Sequence, residues 1–145
     1  MELGRISKIA SGGELSRIML AMKTVFSAND PVETLIFDEI DTGVSGIAAQ
    51  RVGEKLCDLS NGKQVLCITH LPQIAALADN HYRITKFERA GKTYTEVIDL
   101  DRQGRAQELA RLYGGDNITE LSLASAEEQL EAADKYKASN AGGKL

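Results

Sequence analysis

With 145 residues, 43% hydrophobic and 26% charged, the chain is long enough to bury the core of one modest globular domain. A net charge of −4 argues against a surface dominated by nucleic-acid binding, and no apolar run reaches membrane-spanning length. Cys57 and Cys67 lack metal-ligand spacing, which predicts two buried free thiols of a cytosolic protein.

The first predicted element is a helix over about residues 13–26. Its apolar residues recur at spacings of three and four, on one face: Leu15, Ile18, Met19, Met22, Val25 and Phe26. Ser11 as N-cap and Glu14 three residues later form a predicted capping box, while Gly12 and Gly13 permit close backbone approach. The free N–H groups of such a helix start suit phosphate, although an ordinary capped helix has the same pattern.

A short buried strand that ends in two carboxylates is predicted next. Leu35, Ile36 and Phe37 are apolar, and Asp38 and Glu39 follow directly. In open α/β sheets, ligands bind just beyond the carboxyl ends of strands. One carboxylate is therefore a candidate metal ligand and its neighbour a candidate for activating a water molecule. The alternative interpretation is a solvated turn.

The pattern then repeats as helix and strand. A turn at Gly43 precedes a helix predicted over about residues 46–59, and a strand over 64–68 ends close to His70. The helix residues expected to face inward are Ile47, Val52, Leu56 and Leu59. A short helix over about residues 73–78 follows. Strands that alternate with helices at this spacing predict a parallel α/β core. His70 is a candidate functional residue at the strand end, but a histidine after a strand is also common as an ordinary loop residue.

Beyond residue 81 the alternation predicts a β-hairpin with strands over 82–89 and 92–100. The Gly-Lys-Thr sequence at 91–93 is similar to the end of a phosphate-binding loop. Lys86, however, stands where that motif requires glycine, and a strand rather than a helix follows. The chain therefore contains no Walker A motif.

Two helices are predicted at the end of the chain. The first covers residues 106–113 and stops at the glycine pair 114–115. Thr119 is the predicted cap of the second, which reaches about residue 137, and the small, polar tail 138–145 is predicted to fray.

Three long motifs resemble the RecN family, in the SMC-like branch of the ABC ATPase superfamily. They are IASGGELSRIMLA at 9–21, FDEIDTGVSG at 37–46 and ITHLPQIA at 68–75. The resemblance covers about residues 8–136. It implies an α/β fold, the C-terminal lobe of an ABC/SMC-type P-loop NTPase head, with a mostly parallel sheet flanked by helices, a β-hairpin and C-terminal helices. It also implies one lobe over 1–145, with the N-terminal lobe, its Walker A loop and a coiled coil outside the chain.

The resemblance implies a role for each candidate site residue. Asp38 would bind Mg²⁺, Glu39 would polarise the attacking water, and His70 would contact the γ-phosphate of ATP. The signature-motif residues expected to act on the nucleotide across a dimer are Ser11, Gly12, Gly13 and Glu14. Asp41 or Ser45 would make a further cross-dimer contact, because Ser45 stands where the wider superfamily usually has aspartate. The alternative is that residues 42–46 form only a tight turn.

For the whole protein, the resemblance implies an ATPase head that acts in recombinational repair of DNA double-strand breaks, in the bacterial cytoplasm and nucleoid. The implied partners are the N-terminal lobe of the same protein, a second head in an ATP-sandwiched homodimer, and DNA through the full-length protein, with no membrane. Two alternatives stay open, a non-catalytic dimerisation module and an ABC transporter lobe. Glu14 and Ile40 weigh against the transporter, which more often has Gln and Pro there. The chain alone is expected to be inactive because it lacks Walker A.

Overall fold

The computed structural model describes residues 11–26 and 29–141. Residues 9 and 10 of the first motif and the end of the predicted tail, 142–145, lie outside the described residues. In chain order, the elements are α1 (Gly12–Phe26), β1 (Thr34–Phe37), α2 (Gly46–Ser60), β2 (Gln64–Cys67), α3 (Pro72–Ala75), β3 (Tyr82–Arg89), β4 (Lys92–Asp99), α4 (Arg102–Gly114) and α5 (Glu120–Ala141).

Strands β1 and β2 form the parallel pair that the alternation of strands and helices predicted. Their register runs from Thr34 opposite Gln64 to Phe37 opposite Cys67. Alternate residues of β1 point to opposite faces, and the buried face packs into a core shared with α1, α2 and α3. The buried members of this core are Leu20, Leu35, Phe37, Ile40, Leu56, Leu59 and Ile74.

The opposite face of the parallel pair is exposed. Ile36 of β1 is 70% exposed, and its register partner Leu66 of β2 is also exposed. Two neighbouring aliphatic side chains on one sheet face normally indicate a surface that another layer covers. Among the described residues, no helix covers these two side chains.

Helix α1 forms as predicted, but its apolar stripe does not face the core. The six residues of the stripe are 39–75% exposed, whereas Gly13 and Leu20 are buried. Helix α2 shows a smaller difference: Leu56 and Leu59 are buried as predicted, but Ile47 is 78% exposed, so its predicted inward position is wrong. Ile47 precedes the buried Leu56 by nine residues, which is about two and a half helical turns, so the two side chains lie on opposite sides of α2.

The predicted hairpin is confirmed. Strands β3 and β4 pair in an antiparallel register from Tyr82 opposite Asp99 to Arg89 opposite Lys92. Ala90 and Gly91 at the turn both have left-handed φ, 52° and 72°, the backbone that two-residue hairpins prefer. Because Lys92 begins a strand rather than a helix, the Gly-Lys-Thr sequence is a hairpin turn and not a phosphate-binding loop.

A second core joins α3, α4 and α5 and is rich in alanine, which lets the helices approach closely. Its buried residues are Ala75, Ala76, Leu77, Ala106, Leu109, Ala110, Ala126, Leu130 and Ala133. Helix α4 starts at Arg102, earlier than predicted, because the Asp101 carboxylate caps it by accepting a hydrogen bond from Gly104 N at 2.7 Å. It ends at the predicted place, where Gly115 adopts a φ of 75°.

Helix α5 begins after its predicted cap, since the Thr119 hydroxyl accepts a hydrogen bond from Ser122 N at 3.1 Å. It continues to Ala141, beyond the predicted end at residue 137. The helices described here include none that is both long and apolar enough to span a membrane.

Both cysteines are free thiols, as predicted, but they are half-buried rather than fully buried. Burial, with a smaller contribution from the carboxylates of Asp41 and Asp38, raises the pKa of the Cys67 thiol to about 12. Burial also raises the pKa of Cys57. Both side chains therefore stay protonated at neutral pH and behave as small apolar groups.

Candidate functional site

An open pocket of about 270 Å³ lies beyond the carboxyl ends of β1 and β2. The strands stay in register to their last pair, and Ile68 N donates a hydrogen bond to Phe37 O at 2.9 Å. The residues that follow the two strands therefore emerge side by side. They line the pocket: Asp38, Glu39, Asp41, Thr42, Ile68, Thr69 and His70. The structure thus brings the two strand-end carboxylates and the histidine together.

Glu39 sits in an unusual backbone conformation at the edge of this pocket. Its φ is 57°, in the left-handed region that side chains disfavour. Local hydrogen bonds hold it there: Glu39 N donates to Asp38 Oδ1 at 2.9 Å, and Thr42 N donates to Glu39 O at 3.0 Å. Residues kept in such conformations cluster at functional sites, where the fold stabilises a geometry that the local chain disfavours.

We expect Glu39→Gly to be more stable than Glu39→Ala by about 1 kcal/mol, because glycine adopts a left-handed φ without steric cost. Both substitutions remove the carboxylate, so they differ mainly in backbone preference. Urea unfolding of the two variants measures the difference. The matched control is Lys135 in α5, where Ala should be more stable than Gly by about 1 kcal/mol. An alanine preference at both positions would contradict the strained conformation at Glu39.

Helix α1 is tied to the loop that carries Asp38 and Glu39. The Ser16 hydroxyl donates to Asp38 O at 2.9 Å. Arg17 Nη1 donates to Ile40 O at 3.2 Å and to Thr42 O at 2.7 Å. Sequence reasoning gave neither Ser16 nor Arg17 a role, although both lie in the first motif. Their carbonyl partners are more than 20 residues away in the chain, so no local pattern identifies them.

The start of α1 contains the predicted capping box. Ser11 N donates to Glu14 Oε2 at 2.8 Å, and Glu14 N donates to Ser11 Oγ at 3.3 Å. This pair accounts for two of the amides at the helix start. Helix geometry leaves the amides of Gly12 and Gly13 without an intrahelical acceptor, and these are the groups that suit an anion.

The two glycines also lie directly against the Glu39 loop of the same chain. A Cβ atom on Gly12 would overlap Glu39 Oε2. A Cβ atom on Gly13 would lie 2.8 Å from Glu39 O and 3.0 Å from Thr42 O. Glycine is therefore required at residue 13 by the close approach of two backbone segments, which is a packing reason in addition to any role in binding.

Asp41 is buried and bonded within the chain. Its Oδ2 atom accepts hydrogen bonds from Thr69 Oγ1 at 2.7 Å and from His70 N at 2.9 Å, and the Nδ1 atom of His70 lies 2.9 Å from it, at ion-pair distance. Burial would raise the pKa of Asp41, but the hydrogen bonds from Thr69 and His70 and the charge of His70 outweigh it and lower the pKa. The carboxylate therefore stays ionised at neutral pH. Sequence reasoning did not identify Thr69.

Ser45, the other candidate for a cross-dimer contact, lies at the start of α2. It is exposed, and its side chain makes no capping hydrogen bond to the helix. Ser45 and Asp41 thus differ in kind: the serine hydroxyl is accessible, whereas the Asp41 side chain is only 5% exposed. Accessibility favours Ser45 for contact with another chain.

The donor set around Asp38 fits a magnesium ion held mainly by ligands from outside the protein. Within residues 11–26 and 29–141, no group of three or more His, Cys, Asp or Glu side chains is arranged to hold a metal ion. Asp38 is exposed and offers one carboxylate to the pocket. Mg²⁺ commonly binds one or two carboxylates and completes its shell with water and substrate phosphates, so one carboxylate is compatible with it.

Comparison with curated proteins gives close relatives. The chain is 50% identical to the DNA repair protein RecN of Bacillus subtilis over 135 residues, which is 93% of this chain and 23% of that protein. It is 49% identical to RecN of Treponema pallidum over 137 residues, 94% of this chain and 24% of that protein. It is 48% identical to RecN of Vibrio cholerae over 128 residues, which is 88% of this chain and 23% of that protein. The chain thus spans under a quarter of the length of these relatives.

One solved structure, from a study of ATP-driven dimerization and DNA-stimulated activation of SMC ATPases, is similar in fold. The TM-score is 0.52 at 25% sequence identity, and the match covers 78% of this chain and 67% of the other. The α/β fold is accordingly that of part of an SMC ATPase head. No protein-family model matches the chain.

Proposed function

We propose, from the premise that this chain is a RecN-type sequence of the SMC-like ATPases, that it forms part of an ATP-hydrolysing head acting in repair of DNA double-strand breaks. The observation that carries the proposal is the convergence of Asp38, Glu39 and His70 at the carboxyl ends of two adjacent parallel strands. The identity of about 50% to DNA repair proteins favours this function over the transporter hypothesis.

The three pocket residues would share the work of phosphoryl transfer to water. Such reactions depend mainly on positioning and on stabilising charge on the phosphates. Bound Mg²⁺ would supply positive charge, and Asp38 would hold it. Glu39, exposed on its left-handed turn, would orient a water molecule and accept its hydrogen bond. His70, with a side chain that is 75% exposed, would contact the γ-phosphate.

The start of α1 would act on a nucleotide held by a second head. Gly12 and Gly13 have amides that the capping box leaves unpaired within the helix, and the helix dipole favours an anion there. Ser11 and Glu14 would keep this helix start in shape through their reciprocal hydrogen bonds. The accessible Ser45 is the better candidate for the further cross-dimer contact.

Exposed apolar surface supports the proposal that other segments of a longer protein pack on this chain. The stripe of α1 is 39–75% exposed, and the exposed pair Ile36 and Leu66 marks the uncovered face of the parallel strands. We propose that the N-terminal lobe packs on these surfaces and that it also supplies the Walker A loop of the nucleotide site. DNA contacts would lie mainly in other segments, because this chain carries a net charge of −4. We place the whole protein in the bacterial cytoplasm.

The test of this function compares the chain alone with a longer protein that joins it to the remaining RecN-type segments. We expect ATP-dependent phosphate release from the longer protein and none above background from the chain alone, which contains no Walker A motif. If the purified chain hydrolysed ATP and Glu39→Gln abolished that turnover, the proposal that the site is completed by segments outside this chain would be contradicted. A longer protein that dimerises with ATP but releases no phosphate would instead favour the non-catalytic dimerisation module.

A further inference from the structure

We propose that Asp41 is a positioning residue that fixes the tautomer and orientation of His70. In this arrangement Nδ1 carries the proton and faces Asp41, and Nε2 is the nitrogen presented to the pocket. The consequence for ATP hydrolysis rests on the proposed function, but the arrangement itself is a property of this chain.

The two side chains differ strongly in exposure. The His70 side chain is 75% exposed, whereas Asp41 is only 5% exposed. An exposed imidazole on a loop normally samples several rotamers. Here one buried oxygen, Asp41 Oδ2, accepts a hydrogen bond from the backbone N of His70 at 2.9 Å and also lies 2.9 Å from its Nδ1. The backbone of His70 is therefore bonded to a buried carboxylate, and the same carboxylate faces Nδ1 of its ring.

The charge of Asp41 decides which nitrogen of His70 holds the proton. An ionised carboxylate only accepts hydrogen bonds, so the ring nitrogen that faces it must carry hydrogen. The hydrogen bonds to Thr69 and His70 keep Asp41 ionised at neutral pH, because they lower its pKa despite burial. In neutral His70 the proton is consequently on Nδ1, and Nε2 is left as an acceptor. The bond made by one ring nitrogen sets the state of the other.

The hydrogen bonds of Asp41 favour this role over a contact with another chain. Oδ2 of Asp41 already accepts two hydrogen bonds, from Thr69 Oγ1 at 2.7 Å and from His70 N at 2.9 Å, and His70 Nδ1 lies 2.9 Å from the same atom. A carboxylate that is buried and already accepts these hydrogen bonds is poorly placed to bind a residue of a second head. The other acidic groups that line the pocket beside His70 are Asp38 and Glu39, and no hydrogen bond joins either of them to His70 within the described residues.

The tautomer is measured directly by ¹⁵N NMR of the imidazole nitrogens in the 145-residue chain at a pH where the rings are neutral. The chain has two histidines, so His81 serves as an internal control. We expect the Nδ1–H tautomer for His70 in the wild type and in Asp41→Asn, whose amide oxygen still accepts. In Asp41→Ala we expect the Nε2–H tautomer to predominate, with the His81 signals unchanged.

Circular dichroism confirms that each variant is folded. Persistence of the Nδ1–H tautomer in a folded Asp41→Ala chain would overturn the proposal. If the alanine variant does not fold, the wild type still decides, because a predominant Nε2–H form of its His70 would also overturn the proposal and an Nδ1–H form would support it.

ATP turnover in the longer protein tests whether the positioning of His70 by Asp41 matters for hydrolysis. We expect Asp41→Ala to lower kcat by about the same factor as His70→Ala, with KM changed by less than about twofold, and the double variant to be no slower than either. Asp41→Asn should recover most of the loss. Losses that multiply in the double variant would show that Asp41 acts separately from His70. A wild type without turnover would contradict the proposed function, whereas the NMR result would still decide the role of Asp41.

Discussion

Replacing Glu39 by glutamine is expected to lower the ATP turnover of the longer RecN-type protein by about 100-fold or more, with nucleotide binding retained. General-base and water-orienting groups typically contribute 10²–10⁴-fold to rate. Glutamine keeps the size of the side chain but cannot accept a proton at neutral pH. Glu39 contacts the pocket from an exposed turn rather than a packed core, so the substitution should not disturb the fold.

Phosphate release gives the turnover, and fluorescence titration with a labelled ATP analogue gives the binding constant. Glu33→Gln is the matched control, since Glu33 is an exposed glutamate that precedes β1 at its other end. We expect near-normal turnover from that control. Normal steady-state turnover by Glu39→Gln would exclude Glu39 as the group that activates water.

Alanine at Gly13 should lower stability, whereas alanine at Gly12 should leave stability nearly unchanged and lower turnover. At Gly13 the new Cβ meets the backbone oxygens of Glu39 and Thr42 at 2.8 and 3.0 Å, and neither can move without shifting the loop. Overpacking of this kind costs about 1–3 kcal/mol, more than the gain in helix propensity, which is below about 1 kcal/mol. We therefore expect Gly13→Ala to lower the free energy of unfolding.

At Gly12 the new Cβ meets only the flexible end of the Glu39 side chain. That side chain can turn away at little cost, so we expect Gly12→Ala to leave the free energy of unfolding nearly unchanged. Displacing the Glu39 carboxylate should nevertheless lower turnover in the longer protein. Urea unfolding and phosphate release together separate the two effects.

Gly114→Ala is the control for both, because it lies in a helix, with no atom within 4 Å of its Cβ position. It should be neutral or slightly stabilising. Equal stability of Gly12→Ala and Gly13→Ala would indicate that the α1 start is farther from the Glu39 loop than the structure has it.

The sequence determined those features that depend on near neighbours in the chain. The capping box joins Ser11 and Glu14, three residues apart, and helix geometry by itself brings such residues into contact. The hairpin follows from alternation and from Ala90-Gly91 at its turn. Asp38 and His70 were predicted at strand ends because an apolar run stops at a polar residue, and the parallel pairing of β1 and β2 then brings them to one edge.

The tertiary structure decided which distant groups meet. Arg17 bonds carbonyls 23 and 25 residues away, and Asp41 bonds Thr69 28 residues away, distances at which no local periodicity carries information. The stripe of α1 shows the same limit, because periodicity reveals that residues share a face but not what covers it. Residue type and spacing thus gave the candidate groups of the pocket. Long-range packing determined that Asp41 accepts a hydrogen bond from the backbone of His70 and that α1 presents its apolar side outward.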